Sequence, residues 1–381
     1  MLNRLPASLY TTWPASASER QGADQLSMVA TRAPQSSAGP LSRRGVLACA
    51  AALTATPGWA QEQIALKKAA FPIGACVQAL HLDDQALVDL LQRQVSQITA
   101  EWQMNMEYVI GPDGGFQFDA PDRIAAFAQA NAMRLFGHTL VWYAQAHPAF
   151  ETLDETRIGF GDAYRNYILA VVGRYRGRMS GWNVVNEPVT EMGDGLRESL
   201  WSRRLGQLEH MSLAFNTARE ADPTAALFIN DYNLEYFPAK RATFLRLAER
   251  LLASGAPLTG LGTQMHLAAD LPRGSVSEMM RDLASLGLPI HVSELDISLV
   301  RADNKALGRQ ELQRRQSALY GEVAEAFARL RPNQRFAFTF WGLRDRDSWL
   351  RKENATDTPS PFDDLGRAKP GAVAIAGVFG I

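Results

Sequence analysis

From Phe71 onward, short apolar runs alternate with longer stretches whose apolar residues recur every three or four positions. The short runs, at 72–78, 97–101, 134–142, 181–187, 226–231, 260–266, 289–294 and 335–341, read as buried strands. The longer ones, at 85–96, 121–132, 157–175, 198–221, 238–253, 275–285 and 309–330, read as amphipathic helices, with Leu312, Leu319, Val323 and Phe327 marking one apolar stripe. Junction residues agree: Asp222-Pro223 and Gly255-Ala256-Pro257 stop helices, and Gly287-Leu288-Pro289 restarts a strand. No Pro/Ser-rich linker divides residues 61–381. Eight strand–helix units in one uninterrupted domain predict an α/β fold, a single (β/α)8 TIM barrel. A doubly wound open sheet is the competing arrangement, but Gly74-Ala75-Cys76 after the first strand is not the Gly-rich phosphate loop such a sheet usually carries.

Residues 1–60 follow a different pattern. Residues 1–42 are rich in Ser, Ala, Pro and Arg without a sustained period. Arg43-Arg44, a short apolar stretch from Gly45 to Leu53 and a small-residue end at Ala60 have the layout of an export signal of the twin-arginine type. The apolar stretch is shorter than the ~20 residues a membrane span needs. The chain is therefore expected to use the twin-arginine translocon and to work as a monomer in the periplasm or outside the cell. Met28 would be a more ordinary start than Met1, which would make the first 27 residues an extension.

Composition narrows the choices. With 39 Lys and Arg against 40 Asp and Glu, the net charge of −1 gives no footprint for nucleic acid. Two cysteines, Cys49 and Cys76, cannot make a disulfide framework or a cysteine-rich metal site. Neither His-x-His nor His-Glu-x-x-His occurs, so no metal is expected, and His147, His210 and His291 are scattered as structural histidines are.

The strands end in unusual residues. In order they are Glu101, His138 with Trp142, Asn186-Glu187, Asn230-Asp231, Gln264 with His266, Glu294 with Asp296, and Trp341. A barrel opens all these ends on the face where active sites of this fold lie. Any one of them could cap a helix or pack in the core; together at one level they point to a cleft. Glu187 and Glu294 end the fourth and seventh strands, and two carboxyls across a cleft lined with Trp, Asn, Gln and His suit glycosidic bond cleavage. One must carry a proton for the leaving oxygen and the other must be ionised. No cofactor is needed for that chemistry.

The chain resembles glycoside hydrolase family 10, the retaining endo-β-1,4-xylanases, over about residues 71–350. The matching strings are Gly137-His138-Thr139-Leu140-Val141-Trp142, Trp182-Asn183-Val184-Val185-Asn186-Glu187, Asn230-Asp231-Tyr232-Asn233, Gly262-Thr263-Gln264-Met265-His266, Ser293-Glu294-Leu295-Asp296, and Phe340-Trp341-Gly342 with Asp345, Ser348 and Trp349. The resemblance implies a two-step mechanism on xylan, with Glu187 as acid/base and Glu294 as nucleophile. It implies that Asn186 holds the sugar 2-hydroxyl, and that His266, bonded by Asp296, orients Glu294 and keeps it ionised. His138, Trp142, Gln264, Trp341 and Trp349 would line the sugar site, with Glu101 beside them. One region departs from the family, which usually reads Ala-Glu-Asn-x-Met-Lys after the second strand and often has His after the tryptophan of the third. Here the residues are Ala100-Glu101-Trp102-Gln103-Met104-Asn105, and Tyr143. That leaves open another plant or bacterial β-glycan as substrate. A sugar-binding barrel without catalysis is a further alternative, although such a protein would be expected to lose one carboxylate.

Overall fold

Strands β1 (Ile73–Val77), β2 (Gln97–Ala100), β3 (Arg134–Gly137), β4 (Met179–Asn186), β5 (Ala226–Asp231), β6 (Gly260–Thr263), β7 (Ile290–Ser298) and β8 (Arg335–Phe340) pair in parallel in chain order. β8 also pairs with β1, which closes the sheet into an eight-stranded barrel. The computed structural model describes residues 64–153, 157–303 and 306–381. The arginine pair and apolar stretch of residues 1–60 lie outside the described residues.

The strands are apolar because both faces are covered: one fills the barrel and the other meets the helices. Every residue of β1, β2 and β7 is buried. The outer ring is built from α1 (Gln85–Gln94), α2 (Asp119–Ala130), α3 (Arg157–Arg174), α4 (Leu200–Leu205), α5 (Glu209–Ala221), α6 (Pro238–Ala253), α7 (Ser275–Ala284), α8 (Arg309–Ala328) and α9 (Pro370–Phe379). Inside the barrel the rings of Phe136, Phe228 and Phe336 pack around His291, with centroids 4.5 Å, 6.0 Å and 5.4 Å from its ring. Burial drives the His291 pKa well down, and its Nε2 lies 2.8 Å from Thr339 Oγ1, so it is a neutral packing histidine.

Element bounds depart from the periodicity in three places. The run 134–142 is not one strand: β3 stops at Gly137, and Val141–Trp142 forms a separate short pairing with β4. The run 260–266 breaks at Met265, whose φ of 63° is left-handed, and His266–Ala268 then pairs with the end of β7. The helix expected over 198–221 is two helices, α4 and α5, separated at Gly206 with φ 99°. The helix that follows β8, α9, closes the ring: its Gly371 lies so close to the Tyr320 ring of α8 that a Cβ would come within 2.4 Å of it.

Gly137 shows how tightly this packing is drawn. A Cβ there would meet the ring of Trp182, itself wholly buried on β4, at 2.0 Å. Gly137→Ala is expected to destabilise the protein by ~1–3 kcal/mol through overpacking. A urea melt compared with wild type measures it; an unchanged midpoint would mean that the indole can move aside.

Candidate active site

Most of the sequence-predicted site residues lie at or just beyond the C-terminal ends of the strands; Glu294 and Asp296 lie within β7, which runs on to Ser298, and Trp349 lies in the connection after β8. Two of them, Glu187 and Glu294, are joined by a continuous set of amides. Asn230 Nδ2 donates to Glu294 Oε1 at 2.7 Å and to Asn186 Oδ1 at 2.8 Å. Gln264 Nε2 donates to Glu187 Oε1 at 3.0 Å and lies 3.4 Å from Asn186 Oδ1. Ser293 Oγ donates to Asn230 Oδ1 at 2.7 Å, which fixes which way the Asn230 amide faces.

Glu187 begins where β4 ends. Its N–H donates to Asn230 O at 2.7 Å, and its φ of 54° places a non-glycine residue in the left-handed region. Such strain costs about 1–3 kcal/mol and persists only where the surroundings over-determine it. The carboxyl then points at Trp142 Nε1, which donates to Oε2 at 2.9 Å, and at Asn186 Nδ2, 3.2 Å from Oε1. Burial pushes its pKa up to about 7; the Gln264 and Trp142 N–H groups pull it down, while the negative charges of Asp231 and Glu294 push it up.

Glu294 is equally buried and shifted the other way. Burial opposes its ionisation, but His266 and the Asn230 amide hold its pKa below the usual carboxylate range. His266 Nε2 lies 3.4 Å from Glu294 Oε2, and its Nδ1 lies 3.0 Å from Asp296 Oδ2. Burial would discharge this imidazole; Asp296 and Glu294 outweigh it and raise the pKa to about 10. His138 Nδ1 is 3.8 Å from Glu294 Oε1, but it accepts from Asn183 Nδ2 at 2.9 Å, and burial lowers its pKa. A ring nitrogen that accepts an amide N–H carries no proton, so the cation beside Glu294 is His266.

Aromatic rings enclose this pair. Trp341 stands edge-on to His138 and His266, with centroids at 5.1 Å and 6.3 Å. Trp349 packs on His266 at 5.2 Å and donates its N–H to Asp296 at 2.9 Å, so Asp296 Oδ2 serves both neighbours. Glu101 stands apart: it bonds Gln78 at 3.0 Å, and burial raises its pKa to about 7.

The residues that depart from the family pattern are accounted for by their contacts. Asn105 is buried and fully engaged, accepting from Thr139 N at 2.9 Å and donating to Gln145 at 2.5 Å. It ties the loop after β2 to the loop after β3. Trp102 is half-buried and packs at 4.4 Å on Tyr108, which is exposed. The Tyr143 ring lies beneath the Arg197 guanidinium at 4.3 Å. Gln78 and Arg197 are not singled out by the sequence; Asn230 is named among the strand-end residues but given no role of its own. Only Asn230 left a signal, its place at a strand end. Among the described residues no group of three or more His, Cys, Asp or Glu side chains could hold a metal ion.

The profile of glycosyl hydrolase family 10 matches residues 62–378. The chain is 32% identical over 333 residues to endo-1,4-beta-xylanase A of Cellvibrio japonicus, covering 79% of this chain and 54% of that protein. It is 37% identical over 296 residues to endo-1,4-beta-xylanase A of a Caldicellulosiruptor species, covering 74% and 43% respectively. The chain thus spans about half the length of these two relatives. The crystal structure of xylanase XynB from Paenibacillus barcinonensis, complexed with a conduramine derivative, superposes with a TM-score of 0.76 at 32% identity, over 82% of this chain and 98% of that one.

The charge arrangement sets one expectation. Glu294→Gln removes a negative neighbour, so the Glu187 pKa should fall, while remaining above the ordinary glutamate value because burial, the largest cause, stays. Carbon-13 NMR titration of labelled glutamate carboxyls reads this directly. An unmoved Glu187 would show that the two carboxyls do not sense each other.

Proposed function

The chain belongs to glycosyl hydrolase family 10, and on that premise we propose that it is a retaining endo-glycosidase that hydrolyses internal β-1,4-xylosidic bonds of xylan. The observation that carries this reading is the division of two buried carboxyls, one pushed up to about 7 and the other held ionised by an imidazolium. Glu294 attacks the anomeric carbon, and the glycosidic bond breaks as Glu187 passes its proton to the departing oxygen. The sugar is then an ester of Glu294. Glu187, now a carboxylate, takes a proton from a water that attacks the same carbon; Glu294 leaves as carboxylate and Glu187 is again protonated. His266 meets the charge on Glu294 at both ends of the cycle. Asn186, between the two carboxyls in the amide chain, is placed to hold the sugar 2-hydroxyl, and His138, Trp142, Gln264, Trp341 and Trp349 line the sugar site. The names of the two relatives, both endo-1,4-beta-xylanases, support xylan as the polymer.

One observation favours a second reading, the same chemistry on another β-glycan. The position where the family usually carries a lysine is Asn105, whose polar atoms are spent on Thr139 and Gln145. Trp102 beside it presents a half-buried ring in place of a small amide. Purified enzyme incubated with xylan, mixed-linkage glucan, mannan and cellulose, with reducing ends counted, separates the readings. Release from xylan with the β-anomer formed first by proton NMR, and a loss of ~10³-fold or more in Glu294→Ala, are the expected results. Cleavage of a different glycan alone would transfer the mechanism to that polymer, and first formation of the α-anomer would overturn Glu294 as nucleophile.

Export belongs to the same proposal, with the arginine pair read by the twin-arginine translocon. Arg43→Lys with Arg44→Lys should leave precursor inside the cell, and the exported protein should begin near Gln61. Export of the double variant at the wild-type level would refute it.

A further inference from the structure

Glu187 and Glu294 are not served alike by their surroundings. Glu294 has an imidazolium, His266, 3.4 Å from one oxygen. The Glu187 carboxyl is bonded only by neutral N–H groups, those of Gln264, Trp142 and Asn186. The charged groups that push on it from the strands are both acidic, Asp231 from β5 and Glu294 from β7. Lys240, on α6, is committed to Asp231 at 3.1 Å, and His138 is neutral. Among the described residues, a further cation that couples to Glu187 is Arg197, in the loop between β4 and α4.

Arg197 is built into that corner by several independent contacts. Its Nε donates to the carbonyl of Glu187 at 3.2 Å, and its Nη2 donates to Val189 O at 3.1 Å and to Tyr232 Oη at 3.1 Å. Its own N–H donates to Pro188 O at 2.7 Å, and Val189 pairs with Leu196 as a short antiparallel bridge, so the loop folds back on the strand end it grips. The guanidinium plane covers Tyr143, which stands edge-on to Trp142 at 6.1 Å. Trp142 in turn donates to Glu187 Oε2. Arg197 therefore reaches Glu187 by two routes, one through its left-handed backbone and one through the Tyr143–Trp142 pair.

Resting on the acid/base reading of Glu187, we propose that Arg197 is a positioning residue of the reaction: it clamps the strained turn at Glu187 and supplies the fixed positive charge that keeps this buried carboxyl able to ionise for the second step. A planar fork that bonds two carbonyls and a phenol while stacking on a ring is a task for arginine; an ammonium cannot do all three. The charge matters because burial, Asp231 and Glu294 all oppose ionisation of Glu187. On the Arg197 side, Glu187 is among the groups that raise its pKa against the lowering effect of burial.

The test is a pair of variants and a pair of substrates. In Arg197→Met, loss of the cation should move the basic limb of the kcat/KM profile upward by about half to one pH unit. Its kcat/KM on xylohexaose, whose leaving sugar needs a proton, should fall ~10–100-fold. On 2,4-dinitrophenyl β-xylobioside, whose leaving group needs none, it should change less than ~3-fold. Arg197→Lys keeps the charge and loses the fork, so it should keep the limb in place and still lose turnover of xylohexaose. It also carries the test if Arg197→Met fails to fold by circular dichroism. An equal loss on both substrates with an unmoved limb would reduce Arg197 to a structural brace and overturn the proposal. Glu187→Ala separates the premise: azide should restore its turnover of the dinitrophenyl substrate, and absence of rescue would remove the acid/base role of Glu187 and this proposal with it.

Discussion

The contact between His266 and Asp296 is the one on which the candidate site depends. A carboxylate taken out of water into a cleft walled by Trp341 and Trp349 protonates unless it is paired. Glu294 has its cation only because His266 stays charged, and His266 stays charged chiefly because Asp296 stands 3.0 Å behind it, with Glu294 adding to the same effect. Trp349 locks the arrangement by donating to the same Asp296 oxygen. Linkage follows with opposite signs. The depressed Glu294 contributes stability above the ordinary glutamate pKa and loses it as pH falls. The His266 contribution is fully present below the ordinary histidine pKa and is lost as pH rises through about 10. Glu187 works against the fold instead. Raised from 4.5 to about 7, it costs on the order of 3 kcal/mol once ionised, a cost that grows as pH climbs between those values.

The barrel makes such a cluster possible by bringing strand ends from distant parts of the chain to one level. Strands β4, β5, β6 and β7 are consecutive neighbours, so Asn186, Asn230, Gln264 and Glu294 form a row along four of the eight strands. Close backbone packing keeps the row tight. A Cβ on Gly262 would meet Asn230 Oδ1 at 2.2 Å, which is the oxygen that Ser293 holds. The amide that orients Glu294 therefore depends on the absence of a side chain on the next strand.

Much of this was legible in the chain because strand ends of a parallel barrel share one face. Polar residues at the ends of apolar runs, such as Glu187, Gln264 and Glu294, could be grouped without knowing any distance. What could not be read depends on partners remote in sequence or on single backbone angles. Asn105 stands out in the chain only as a departure from the family's lysine, and its partners Thr139 and Gln145 lie on the next loop. The break in the helix expected over 198–221 rests on one left-handed glycine, Gly206, within an apolar stripe that continues past it. Helix α9 is apolar on nearly every side and shows no period; its signals are Pro370 at the start and the left-handed Gly380 at the end. Arg197 gave no sign at all, because a loop arginine gains meaning only from the turn it closes.

A raised carboxyl is not by itself a mark of catalysis in this fold. Burial pushes Glu101 and Glu235 up to about 7 as well, the same value as Glu187. What separates them is connection. Glu101 bonds Gln78 and stops there, and neither oxygen of Glu235 has a hydrogen-bond partner. Glu187 alone of the three joins the amide chain through Gln264, Asn186 and Asn230 that ends on Glu294. A proton on Glu101 or Glu235 has no charged partner in that chain to answer it. A proton on Glu187 faces a carboxylate held ionised by its own cation, and that opposition of states across one cleft is what acid-assisted displacement requires.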